Sequence, residues 1–159
     1  MKEEAAVRAA SLLHRCRAAT LGVLHDGAPG LSMVPYAIHP DPFALIILVS
    51  ALAAHTQDMD REPRVGLLVM DPERDDTPAH TLARVAIEAT VQRLAADDAR
   101  YATARAAYTA RFPDMTMLFE LGDFALFALE PVAVRAVLGF ASAHSLTPET
   151  LARAVRAGA

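Results

Sequence analysis

The architecture of this chain is set by three apolar runs, ATLGVLH (19–25), GLSMVPYAIH (30–39) and FALIILVS (43–50). DGAP (26–29) separates the first two runs, and an Asp-Gly pair between apolar runs is a strong sign of a β-hairpin. PDP (40–42) breaks the chain again, so the third run is expected to be a short, fully buried strand. Closely connected strands of this kind predict a largely antiparallel sheet.

Further strands are expected in RVGLLVM (64–70), in TLARVAIEATVQRLA (81–95) and in DFALFALEPVAVRAVLGF (123–140), which is expected to form two strands hinged at Glu130-Pro131. Helical patterns or turns fall in 1–18, 52–61, 97–111, 112–121 and 145–159. The tally of seven strands and four helical insertions predicts an α+β, mainly β fold, an antiparallel sheet that closes into a small barrel. We expect one domain, with an N-terminal helix (1–18), a barrel (19–140) and a C-terminal tail or helix (141–159).

The composition excludes several classes of protein. The 159 residues carry 15 Lys+Arg and 19 Asp+Glu, a formal charge of −4, which leaves no broad basic face for nucleic acid. The single cysteine, Cys16, excludes an intramolecular disulfide. The longest apolar run, 43–54, is shorter than a membrane-spanning helix, and Glu3 and Glu4 do not fit a signal peptide. We therefore expect a soluble, cytoplasmic protein with no nucleic-acid or membrane partner.

The segment VSALAAHTQD (49–58) is the strongest candidate for a binding site. A buried strand ends at Ser50 and a polar helix begins a few residues later, so its first backbone N–H groups, with Ser50, His55 and Thr56, can form a cradle for phosphate or carboxylate. The alternative is that Ser50 and Thr56 only cap the helix while His55 lies on the surface. The six histidines form no metal-binding pair in sequence, so no metal site is predicted.

Three further residues have more than one possible role. Tyr36, near the end of its strand, either stacks on or hydrogen-bonds to a ligand, or packs in the core or an interface. Arg84 and Glu88 lie on the polar face of the long strand, where solvated charges are the commoner outcome.

The order of these segments resembles the FMN-binding split-barrel superfamily of pyridoxamine 5′-phosphate oxidase, and within it the haem-iron-utilisation branch. The resemblance covers about residues 8 to 146, and its motifs are LSMVPYAI (31–38), VSALAAHTQD (49–58), PRVGLLV (63–69), ARVAIEATVQRL (83–94), GDFALFALEP (122–131) and VLGFASAH (137–144). Members of this branch often carry a further C-terminal α/β domain, which we expect this chain to lack.

This resemblance implies a homodimeric flavoprotein, an FMN-dependent oxidoreductase with the flavin at the subunit interface. The residues that it assigns to FMN are Ser32, Val34, Pro35 and Tyr36 beside the ring, Val49 and Ser50 on the next strand, His55, Thr56 and Gln57 in the phosphate turn, and Arg84 on the long strand. Its substrate is not indicated.

The phosphate turn departs from the family pattern at Gln57 and Asp58. Asp58 places a negative charge near the expected phosphate, which Arg84, Arg61 or Arg64 would have to offset. Two alternatives on the same barrel therefore stay open. One is a haem-binding protein with His144 or His55 as the axial ligand, and the other is a dimeric interaction module without a cofactor.

Overall fold

The computed structural model describes residues 1–158, which form eight strands, four α-helices and two short 3₁₀ segments. The strands are β1 (Ala18–His25), β2 (Ala28–Pro35), β3 (Ala37–Pro40), β4 (Phe43–Ser50), β5 (Arg64–Met70), β6 (Arg84–Leu94), β7 (Phe124–Val137) and β8 (Ala143–Leu146). The helices are α1 (Lys2–Arg15), α2 (Ala54–Arg61), α3 (Tyr101–Arg111) and α4 (Pro148–Ala157), and the 3₁₀ segments are Ala79–Thr81 and Pro113–Glu120. Ala159, the last residue of the predicted tail, lies outside the described residues.

The strands form one antiparallel sheet in the order β2-β1-β5-β6-β7-β4-β3, with β8 paired to β7. The predicted α+β, antiparallel split-barrel fold is therefore confirmed. The expected closure is not made by hydrogen bonds, because β2 and β3, the two ends of the order, form no ladder with each other within residues 1–158. The barrel thus stays open along one line.

The β1–β2 hairpin forms where the sequence predicts it. The register runs from Ala18 opposite Pro35 to His25 opposite Ala28, so Asp26 and Gly27 make a two-residue turn. Both turn residues have positive φ, 49° and 81°, which is the conformation of a tight hairpin turn that matches the twist of the strands. This turn fixes which side chains of β2 face inward.

The C-terminal part of the sheet differs from the prediction. β7 is one strand rather than two hinged at Glu130-Pro131, because its pairing with β6 shifts by one residue between Glu88 and Ala89. The shift lets β7 absorb Pro131, which has no N–H for the ladder. β8, which the sequence analysis placed within the tail, adds a short strand before α4.

The inward faces of the strands and the buried face of α1 form the main core. Tyr36 lies fully buried there, and its hydroxyl donates to the carbonyl oxygen of Leu13, 2.8 Å away. Arg111 of α3 donates to the carbonyls of Leu13 and Cys16 and lies over the Tyr36 ring. These bonds satisfy carbonyl groups at the C-terminal end of α1, which have no partner within the helix.

α2 and α3 end at residues 61 and 111 as the sequence predicts, whereas α1 ends at residue 15 rather than 18 and α3 begins at residue 101 rather than 97. Thr147 caps α4 by accepting a hydrogen bond from the backbone N–H of Thr150, 3.1 Å away. The longest helix, α1, has 14 residues. In the described part of the chain, no helix has the length and the hydropathy needed to cross a membrane.

Candidate functional site at the open seam of the sheet

Two strand edges face each other where the sheet stays open. β2 pairs with β1 only, and β3 covers β4 only as far as Ile46. In residues 1–158, Ala28–Pro35 of β2 and Ile47–Ser50 of β4 therefore have no ladder partner on this side, and β2 and β4 contact each other across the opening. We call these two edges the seam. Unpaired backbone N–H and C=O groups along a strand edge are ready to bind a ligand or another chain.

The turn that follows β4 uses its hydroxyl groups internally. The Ser50 hydroxyl oxygen accepts from the backbone N–H of Leu52 at 3.2 Å, and the Thr56 hydroxyl donates to the Ser50 carbonyl at 2.7 Å. Thr56 is fully buried. Ser50 therefore satisfies one backbone N–H of the turn and keeps its own hydroxyl proton free, whereas the hydroxyl proton of Thr56 is already committed to a carbonyl. The helix itself begins at Ala53 without a side-chain cap.

Two buried polar atoms at the seam have no hydrogen-bond partner among the described residues: the Ser32 hydroxyl oxygen of β2 and Nε2 of His55 in α2. Buried polar groups are nearly always paired, so two orphans at one seam indicate a missing partner. Burial lowers the pKa of His55 below its ordinary value, against the opposing charge of Asp58. His55 is therefore a neutral imidazole with one uncommitted nitrogen.

The remaining residues predicted at the flavin ring divide between the core and the surface. Val34 and Tyr36 point into the core, Val49 is buried, and Pro35 is exposed. The Tyr36 hydroxyl binds Leu13 and its backbone N–H donates to the carbonyl of Arg17 at 3.1 Å, so its backbone carbonyl is the polar group left to meet a ligand. That the backbone groups of these four residues contact a cofactor stays a prediction. Gln57 is exposed on the first turn of α2.

Arg84 lies far from this turn. Arg84 is the first residue of β6 and lies opposite Val137 of β7. The last residue of β6, Leu94, lies opposite Leu126, two residues from the Phe124 that pairs with Ser50. At about 3.3 Å per residue, the length of β6 separates Arg84 from the turn by about 30 Å within one subunit. Its guanidinium donates to the carbonyl of Leu82 at 3.0 Å.

His144 lies at the same far end. His144 belongs to β8 and lies opposite Ala136 of β7. Its Nε2 is 3.0 Å from the Ser142 hydroxyl. His144 and His55 therefore do not meet in one subunit. In the part of the chain that the structure describes, no three His, Cys, Asp or Glu side chains are grouped closely enough to hold a metal ion.

The charge of Asp58 is met by a histidine rather than by an arginine. Asp58 is buried, and its carboxylate lies 2.7 Å from Nδ1 of His25 at the end of β1. Arg64, which was expected to offset Asp58, instead binds Glu62 at 2.8 Å. The hydrogen bond to Asp58, helped by the nearby charge of Asp26, raises the pKa of His25 above its ordinary value.

Sequence reasoning missed Arg93. It lies near the end of β6 beside the turn, donates two hydrogen bonds to Asp60 of α2, at 2.6 and 3.2 Å, and stacks over Phe127. The sequence places Arg93 near the end of the long predicted strand. Only the register between β6 and β7 shows that this end lies beside α2.

The model of the pyridoxamine 5′-phosphate oxidase family matches residues 5–138. The chain belongs to this family. The match runs from α1 to the end of β7 and so includes the seam, the turn and α2.

Three proteins that are similar to this chain in sequence or structure have names that refer to haem. The chloroplastic non-canonical haem oxygenase HOZ of Arabidopsis thaliana is 34% identical over 125 residues, which are 78% of this chain and 36% of HOZ. The haem oxygenase HutZ of Vibrio cholerae is 24% identical over 127 residues, 79% of this chain and 71% of HutZ. A haem binding protein from Mycobacterium smegmatis superposes with a TM-score of 0.83 at 27% identity, covering 94% of this chain and 60% of that protein. This chain spans about a third of the length of HOZ.

The His25–Asp58 pair predicts a titration that depends on the buried carboxylate. In Asp58→Asn protein, the NMR-measured pKa of His25 should fall, because the main group that holds the proton is lost. Since the folded pKa is raised, the pair stabilises the fold at low pH and loses this effect as the pH rises through the folded pKa. The His80 signal should be the same in both proteins. An unchanged His25 titration in Asp58→Asn would refute the pairing.

Proposed function

We propose that this member of the pyridoxamine 5′-phosphate oxidase family binds haem at the seam, with His55 as the iron ligand. The observation that carries the proposal is the neutral, unpartnered imidazole of His55 beside two free strand edges. Imidazole binds a metal only in its neutral form, and a histidine is a common axial ligand of haem iron. Nε2 is covered in the isolated subunit, so binding requires the ring to turn toward the seam.

The surface beside the seam suits an apolar macrocycle. Leu31 and Met33 project from β2 on the outer side of the sheet, and they are 77% and 68% exposed. Gly22 of β1 and Gly66 of β5 lie directly opposite each other on the same face, where bare backbone allows a flat group or another chain to approach closely. His144 does not suit the ligand role in the same way, because its Nε2 is already hydrogen-bonded.

Relatives support haem as the ligand class, since HOZ and HutZ are named haem oxygenases and the mycobacterial protein is named for haem binding. The oxidoreductase role expected from the sequence would then act on haem itself. Haem breakdown, the activity in the names of HOZ and HutZ, is part of this proposal for the present chain.

FMN is the second candidate, favoured by family membership and by the start of α2, which no side chain caps. Its phosphate would need cations, and the turn supplies few in one subunit. The hydroxyl proton of Thr56 is committed to the Ser50 carbonyl, Asp58 is a buried carboxylate, and Arg84 is about 30 Å away along the strand. A phosphate dianion in this turn would therefore depend on backbone N–H groups, on the hydroxyl proton of Ser50 and on Arg61 of α2.

We further propose that the protein is a homodimer that pairs through the outer face of β1, β2, β5, β6 and β7. Two apolar hollows of about 480 and 700 Å³ share this face, and both are lined by Gly22, Gly66 and Glu88. Glu88 and Arg135 lie on this face, and neither forms an ion pair within residues 1–158. In the proposed dimer, a two-fold axis through this face would pair Glu88 of each copy with Arg135 of the other, as an isologous interface requires of its charges.

Haem binding is tested by the visible spectrum of purified protein during a haemin titration. We expect a saturable Soret band, with at least tenfold weaker binding and a shifted band in His55→Ala protein. His144→Ala is the matched control, because that histidine lies at the far end of the sheet, and its spectrum should equal that of the unmodified protein. Identical spectra for His55→Ala and the unmodified protein would refute His55 as ligand. If the purified protein retains FMN and binds no haemin, the ligand is flavin and the haem proposal is refuted.

The dimer is tested by sedimentation equilibrium. Changing Leu31→Arg and Met33→Arg together should raise the dimer dissociation constant at least tenfold, because four added cations would face one another across the two-fold axis. Val7→Arg on α1, a site that is 59% exposed and lies away from this face, is the control and should leave the constant unchanged. Equal effects of the two variants, or a monomeric unmodified protein, would contradict the proposed interface.

A further inference from the structure

A cavity separate from the two hollows on the outer face lies at the end of the sheet opposite the turn. It has a volume of about 530 Å³ and is bordered by α1, the segment 71–83 and Leu138, which follows β7. We propose that this cavity binds a small molecule that carries carboxylate or phosphate groups on a planar ring. The polar side chains that line it are Arg8, Arg15, Asp71, Arg74, Thr77 and Thr81.

The lining carries more cationic than anionic side chains, in a protein with a formal charge of −4. Three guanidinium groups face the cavity against one carboxylate, Asp71. Arginine recognises carboxylate and phosphate through paired N–H groups, so three arginines around one hollow match a ligand with more than one anionic oxygen.

Two of these arginines are held in place by acidic neighbours. Arg15 donates two hydrogen bonds of 2.9 Å to Asp71, and Arg74 donates two of 3.1 Å to Asp76, which does not line the cavity. Their side chains stay 47% and 67% exposed. The paired hydrogen bonds orient the two guanidinium groups in advance. Because exposed ion pairs are weak, an anionic ligand can compete for these arginines.

Arg8 connects the cavity to an unusual turn. Its guanidinium donates to the carbonyl of Leu138, and the turn that follows contains Gly139 and Ala141, both with positive φ, 143° and 56°. A left-handed conformation is rare for alanine, and such backbone strain concentrates at ligand sites. The turn holds Phe140 at 82% exposure, two residues from the cavity wall. An exposed aromatic ring this close in sequence to the cavity wall gives a planar anion a surface on which to stack.

This site is separate from the proposed haem site. Arg84, next to Ala83 of the cavity wall, is about 30 Å along β6 from the turn that follows β4. Loss of His55 should therefore leave the second site intact, and the two proposals can fail independently.

The chain contains no tryptophan, so Phe140→Trp places a single fluorescent indole at the edge of the cavity. Two probes carry a planar ring: ATP has phosphate groups, and haemin has carboxylate groups. Pyrophosphate is the control anion without a ring. Haemin titrations use His55→Ala protein so that the seam does not contribute. We expect saturable quenching by ATP or haemin, which identifies the source, and at least tenfold weaker binding of pyrophosphate.

Arginine variants decide whether the cavity is responsible. Arg8→Gln with Arg74→Gln should weaken binding at least tenfold, whereas Arg153→Gln, an exposed arginine on α4, should not. Calorimetry on protein that retains Phe140 gives the same comparison if the tryptophan variant fails to fold. The proposal is overturned if neither ring-bearing probe binds saturably, if pyrophosphate binds as tightly as either, or if the double variant binds like the Arg153→Gln control.

Discussion

The unpaired backbone between β2 and β4 is the constraint on which the rest of this structure depends. A curled sheet that closed completely would satisfy every strand edge, but here β3 is too short to cover Ile47–Ser50 and β2 has one neighbour only. Backbone N–H and C=O groups left in this way must be satisfied by water, a ligand or another chain. The orphaned atoms of Ser32 and His55 lie at the same opening, so backbone and side chains indicate the same missing partner.

Electrostatics then limits which partner suits the opening. The buried Asp58 carboxylate is hydrogen-bonded to His25, and Arg93 and Arg64 bind acidic neighbours of their own. Of the arginines on or beside α2, this leaves Arg61 as the one with no ion pair within residues 1–158, so a phosphate dianion in this turn would find little to replace the water it loses. A haem needs apolar surface and one neutral imidazole, and the seam has both. The same chain keeps its cluster of oriented arginines at the opposite end of β6, away from this site.

The sequence was sufficient wherever local chemistry determines structure. The Asp26-Gly27 turn fixes the hairpin and its register, because both residues adopt the positive φ that a tight two-residue turn needs. The family resemblance also named Ser32 and His55, whose buried polar atoms have no hydrogen-bond partner among the described residues; their role in binding stays a prediction. Where partners are distant in sequence, prediction failed. Arg111 binds the end of α1 from almost a hundred residues away, and nothing local reveals it.

Strand register explains the remaining differences. Whether Tyr36 faces a ligand or the core depends on which residue of β1 lies opposite, and a shift of one residue would reverse it. The position of Arg84 depends on where β6 begins relative to β7, which in turn depends on the irregular pairing at Pro131. Such pairings are properties of the assembled sheet, so the sequence identified the residue types of the site better than their positions.

Hydrogen–deuterium exchange of the backbone amides at the seam tests the central claim most directly. If the seam is the ligand site, the edge amides of residues 28–35 and 47–50 exchange readily in the free protein and slow at least tenfold when haemin is bound. The amides of 85–93 in β6, which has neighbours on both sides, should stay equally protected in both states. Haemin that binds without slowing exchange at the seam would contradict the account.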